Sequence, residues 1–192
     1  IEPSNKLTIN NETYAINTMY KLKVKEYMDL NTILENDKYN YPTIFAILCR
    51  KQDEEYDENF ISDVMEKRIQ MFENISVIER NETYCFFFFL IQDIRNTFAK
   101  LFDGSRPKTN SIRTCKERKE LAKAYGLYHS IQSAADYDFT KVRKIFKEPL
   151  VSFFEYLTYM SDKAIADEAQ HKYEEKLRKA KMNKVNNISF KS

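Results

Sequence analysis

Apolar residues in this chain alternate once, near the start, and afterwards fall at helical spacing. Leu7 and Ile9 alternate with polar neighbours, Asn10-Asn11 suits a tight turn, and Tyr14 and Ile16 resume the alternation, which predicts a β-hairpin. Val24, Tyr27, Met28, Ile33 and Leu34 then mark a first amphipathic helix. Pro42, suited to a first turn, opens a second helix carrying Ile44, Phe45, Ile47 and Leu48. The acidic stretch Asp53 to Glu58 precedes a third, whose apolar face is Phe60, Val64, Ile69 and Phe72. Its carboxylates suit a solvated helix start, where they meet the positive end of the dipole.

A central helix is predicted from Ile78 to Phe102. Its first half is apolar all round, which places Phe86 to Ile91 at the middle of a bundle with Phe87, Phe88 and Leu90 buried. Asp103-Gly104-Ser105-Arg106-Pro107 ends it, and a polar loop runs to Thr114. The next helix carries Leu121, Ala124, Tyr125, Tyr128 and Ile131, and a short one spans Thr140 to Lys147. Pro149 opens the last and longest, with Leu150, Phe153, Phe154, Leu157 and Met160 as its core face. Beyond Ser161 the apolar content thins to Ala164, Ile165, Tyr173 and Leu177, too little to bury against the same domain. The pattern is that of a mainly α protein, a helical bundle around a central apolar helix with an N-terminal β-hairpin. It divides into a hairpin appendage over 1–17, a helical core over 18–160, and a solvated or partner-binding helix and tail over 161–192.

Composition narrows the function. Gly occurs only twice in 192 residues, as Gly104 and Gly126, which excludes the glycine-rich phosphate loops of P-loop and Rossmann enzymes. Charged residues are 31% of the chain, yet the net charge is only +2, so no strong field steers it toward nucleic acid or anionic lipid. That balance moves the expectation toward protein partners. The apolar run from Tyr84 to Ile91 is well short of the roughly 20 residues that cross a membrane, so no membrane association is expected. No signal peptide is visible, although a start at Ile1 leaves a cleaved leader open. Cys49, Cys85 and Cys115 are odd in number and widely spaced, and are read as small buried hydrophobes in a reducing compartment.

Candidate chemistry is sparse. His129 and His171 have no Cys or carboxylate at a spacing that predicts a nucleophile pair or metal site, and are read as structural or surface residues. Four sequons, at Asn11, Asn74, Asn81 and Asn187, read as AT-biased coding in a chain rich in Asn, Lys and Ile. The cluster Arg106, Lys108, Arg113, Lys116, Arg118, Lys119 and Lys123 could meet phosphates, although Glu117 and Glu120 interrupt it and no aromatic residues interleave. From His171 to Lys184 opposite charges fall three or four apart, which supports a lone helix or one docked to another subunit.

One segment carries a resemblance. Tyr125-Gly126-Leu127-Tyr128-His129-Ser130-Ile131 is followed by Ala134-Ala135, Asp138 and Val142, then Pro149-Leu150, Phe154 and Leu157-Thr158-Tyr159. Over Lys119 to Met160 this resembles small proteins encoded among the structural genes of tailed bacteriophages, in particular the crAss-like phages, with Tyr128 where Trp is expected. The opening hairpin, followed by Leu22 and the helix from Val24 to Leu34, resembles them too. The resemblance implies a virion component or tail-assembly factor, in the virion or host cytoplasm, with no catalytic residues to carry over.

The expected function is therefore non-enzymatic, with no catalytic, cofactor-binding or metal-binding residues. The expected partners are other virion or assembly proteins, or further copies of the chain. Contacts are expected through Tyr156, Tyr159, Tyr173 and Leu177. The alternative is a nucleic-acid-contacting accessory protein that uses 106–123. A hydrolase with unplaced carboxylates is a third reading.

Overall fold

The computed structural model describes residues 6–9, 11–36, 40–51, 54–56, 62–102 and 116–189, without the side chains of 118, 119, 122, 123 and 183–189. It is mostly helical. Strands β1 (Lys6–Ile9) and β2 (Glu12–Ile16) form the hairpin, paired Leu7 to Tyr14 and Ile9 to Glu12, with Asn11 at φ 64° in the turn. Helices α1 (Val24–Asn36) and α2 (Tyr41–Leu48) follow. Cys49–Arg50 then forms a short third strand, β3, antiparallel to β2. Only helix was expected after the hairpin. Two residues carry no readable period, so β3 had no signature in the sequence.

Side-chain caps set several helix starts. The Asn40 side chain accepts from the Thr43 N–H ahead of α2, and the Ser62 hydroxyl accepts from the Met65 N–H ahead of α3 (Asp63–Glu73). Ser76 and Glu79 form a reciprocal capping box at the start of α4 (Val77–Thr97). Phe98, at φ −112° and ψ 37°, separates α4 from the short α5 (Ala99–Phe102), so the predicted 78–102 helix is two pieces. Next come α6 (Lys116–Ala134), broken at Gly126, then α7 (Phe139–Lys147) and α8 (Leu150–Ser189).

The core joins the N-terminal hairpin to the helices, and its last members come from the start of α8. Leu7, Tyr14 and Ile16 of the hairpin lie in the same buried cluster as Phe45 and Phe72. Phe45 meets Phe72, Tyr84 and Tyr41 at ring distances of 6.0, 5.7 and 5.9 Å. Phe154 of α8 touches Tyr27, Phe98, Phe102 and Phe153.

Among the described residues, helix α4 is covered on one side only, which corrects the expected burial of Phe88. Thr83, Phe87, Leu90, Ile91 and Ile94 are buried, whereas Phe88 is 62% exposed, and Phe89 and Ile78 are also exposed. At about 100° per residue, four successive phenylalanines point in every direction, and one neighbouring layer covers only some of them. Cys85 is exposed on the same helix, Cys49 is buried, and Cys115 lies outside the described residues. In α3 the buried line is Met65, Arg68 and Phe72, with Val64 exposed; Phe60 lies outside the described residues. Leu121, Ala124 and Tyr125 are exposed where a core face was expected, and so is Met160. Glu54 does not serve a solvated helix start: its carboxylate accepts from Arg68 at 2.6 Å, while Asp53, Asp57 and Glu58 lie outside the described residues.

Candidate partner-binding face of helix α8

Helix α8 has 40 residues and two apolar lines on different sides. Near its start Leu150, Phe153 and Phe154 are buried and Leu157 is half-buried against the bundle. Past Ser161, Ile165, Ala166, Ala169, Tyr173, Leu177 and Ala180 recur at steps of one, three or four. Projected down the axis, this second line is rotated by roughly 140° from the first. It therefore faces away from the side of α8 that packs on its own core. From 169 to 182 every described side chain is exposed, Tyr173 at 59% and Leu177 at 45%.

The second line continues backward into a groove. Val151, Thr158 and Tyr159 lie on the same side of α8, and with Met19, Tyr20 and Phe98 they line an open cleft of about 650 Å³. Lys100 and Asp162 pair across its rim at 2.9 Å. Tyr159 and Tyr20 are largely exposed there. Groove and stripe thus form one track along α8.

Intrahelical pairs flank the track. Lys163–Asp167, Lys172–Glu168 and Lys179–Glu175 each close at 2.6 Å between residues four apart. The hydrogen bond from Lys163 to Asp167 holds the ammonium above its usual range, and that from Lys179 holds the Glu175 carboxyl below its own. These surface pairs give modest local support to a helix that projects from the bundle.

Of the four expected contact residues, Tyr159, Tyr173 and Leu177 share the track. Tyr156 lies on another flank, where it lines a cleft of about 570 Å³ with Asn31, Glu35, His129 and Ser130. The small residues Ala166, Ala169 and Ala180 went unread in the sequence, although their spacing with Tyr173 and Leu177 was the available signal. In the basic cluster, Lys116 is exposed and lies 3.6 Å from Glu120. Arg106, Lys108 and Arg113 lie outside the described residues, as do the side chains of Arg118, Lys119 and Lys123.

Among the described residues no group of three or more His, Cys, Asp or Glu is placed to hold a metal ion. No described helix is long and apolar enough to cross a membrane. A dense polar cluster among the described residues is internal. Arg50 donates to Glu26 and lies 5.0 Å over the Tyr56 ring, and the Tyr56 hydroxyl donates to Asp29 at 2.5 Å. Beside it Arg68 donates to Glu54 and to the Cys49 carbonyl. Burial pushes the Cys49 thiol up to about 12, so it is protonated and inert as a nucleophile at neutral pH. This cluster ties α1, β3 and α3 together. No protein-family model matches the chain, and neither a curated protein nor a solved structure is similar to it.

Proposed function

We propose that this chain is a non-enzymatic virion structural or tail-assembly protein, acting in the virion or host cytoplasm through protein–protein contact along α8. The observation that carries the contact is the rotation of the second apolar line away from the core. A helix stripe turned from its own domain leaves apolar side chains in water unless another chain covers them. The virion setting rests on the resemblance of residues 119–160 to phage structural proteins. Tyr173 is an aromatic anchor ringed by charge, of the kind that dominates protein interfaces, and Leu177 adds apolar area beside it.

The test compares intact chain with chain ending at Ser161, in particles purified from the virus that encodes it. Mass spectrometry should find the intact chain in particles or assembly intermediates and the shortened chain depleted. Equal incorporation of both forms removes α8 from the contact. Absence of the intact chain from every assembly species overturns the virion reading, and salt-dependent DNA binding in its place points to the basic segment.

A further inference from the structure

We infer that the occupant of the α8 track is a second copy of the chain, running antiparallel, with Tyr173 at the two-fold axis. The inference rests on the reading of α8 as a protein-binding face and names the partner. Its first support is charge. From Asp162 to Glu175 the helix carries five carboxylates (Asp162, Asp167, Glu168, Glu174 and Glu175) against two lysines. From Lys176 to Met182 it carries Lys176, Arg178, Lys179 and Lys181 and no carboxylate. An antiparallel pair lays the acidic stretch of each copy against the basic stretch of the other. A parallel pair lays each stretch against its like.

Shape gives the same register. With Tyr173 on the axis, Ala169 faces the second copy's Leu177 and Ala166 faces the second copy's Ala180. A small residue thus receives the largest aliphatic one, and the remaining alanines allow close approach. The contact is isologous, as a two-fold pair requires.

Length gives the third support. The stretch from 162 to 182 is about 30 Å of helix, a narrow contact by itself. In this register the α8 backbone beyond Met182, which runs on to Ser189, passes over the other copy's groove beside Thr158 and Tyr159. Each groove thus adds apolar area at one end of the pair, extending the contact toward the roughly 1,200 Å² of the smaller stable interfaces.

Sedimentation velocity on the full chain over a concentration series should show a reversible dimer that weakens at high salt. Leu177→Lys should raise its dissociation constant about tenfold or more, with circular dichroism confirming that the variant stays helical. The register is read by disulfide formation in a background with Cys85 and Cys115 replaced by Ser. Ala169→Cys mixed with Leu177→Cys should cross-link efficiently, and Ala169→Cys alone should not. Self-cross-linking of Ala169→Cys overturns the antiparallel register, and a chain monomeric at all concentrations overturns self-pairing. A monomer that still needs its α8 extension to enter particles leaves the protein-binding reading standing. A dimer whose particles also accept the shortened chain keeps the pairing and removes the assembly role.

Discussion

Glu26 and Arg50 meet inside the fold, the carboxylate fully buried and the guanidinium nearly so, and join the first turn of α1 to β3. Glu26 also accepts from the Lys23 N–H at 3.0 Å, and Arg50 donates to the Ile47 carbonyl at 3.1 Å. Burial holds the Glu26 carboxyl above its usual range, with Arg50 opposing that shift. Removing one partner strands a buried charge. Arg50→Met should cost about 3–5 kcal/mol in urea titration. The double variant with Glu26→Gln should recover part of that loss. A single variant as stable as the parent would show that the pair is solvated.

Neighbouring phenylalanines should respond in opposite ways. Phe87 is 1% exposed, so Phe87→Ala should cost about 3–5 kcal/mol. Phe88 is 62% exposed, stacked on Tyr84 and tilted against Phe87 at the surface, so Phe88→Ala should cost under about 1 kcal/mol. Equal losses would mean that both sides of α4 are covered.

Gly126 breaks α6 at φ 48° and ψ −124°, a conformation costly to any residue with a Cβ. A Cβ there would meet no atom within 4 Å, so the penalty is confined to the backbone. Gly126→Ala should destabilise by about 1–3 kcal/mol. In an unbroken helix the same change would stabilise by about 1 kcal/mol, so the sign found by thermal denaturation tests the break.

Alkaline pH should unfold this protein early. Burial pushes the Cys49 thiol and the Tyr27 hydroxyl each up to about 12, and it raises Tyr56 as well. These groups keep their protons in the fold at pH values where the unfolded chain has lost them. The folded state then binds more protons, so stability is full below about pH 9 and falls as pH rises through the folded values. Melting temperature across that window should drop, and Cys49→Ala should flatten the drop. A level profile would show these groups open to solvent.

Much of the architecture was legible because period and punctuation agreed. The Leu7–Ile16 alternation, Pro42 beside the α2 start and Pro149 at the head of α8 each carried a local signal that the fold kept. Phe88 misled because a run of four phenylalanines hides which side is covered. The Glu26–Arg50 pair is set by tertiary approach; its one hint was a charged residue directly after the apolar run Ile44 to Cys49. Tyr159, Tyr173 and Leu177 stood out by size. The alanines between them needed the helix axis before they became a line.

The start of α1 is fastened to the start of α8: the Leu150 N–H donates to the Leu22 carbonyl at 2.8 Å, and the Val24 N–H donates to Glu148 at 3.1 Å. Tyr27 packs on Phe154 across the same seam. A nascent chain leaves the ribosome in order, so Val24, Tyr27 and Leu30 emerge long before the residues that cover them. Local helices can form meanwhile, but this contact must close across most of the sequence before it gives any return. The ribosome's passage from Leu22 to Leu150 thus sets the least time for which this seam stays open to a chaperone.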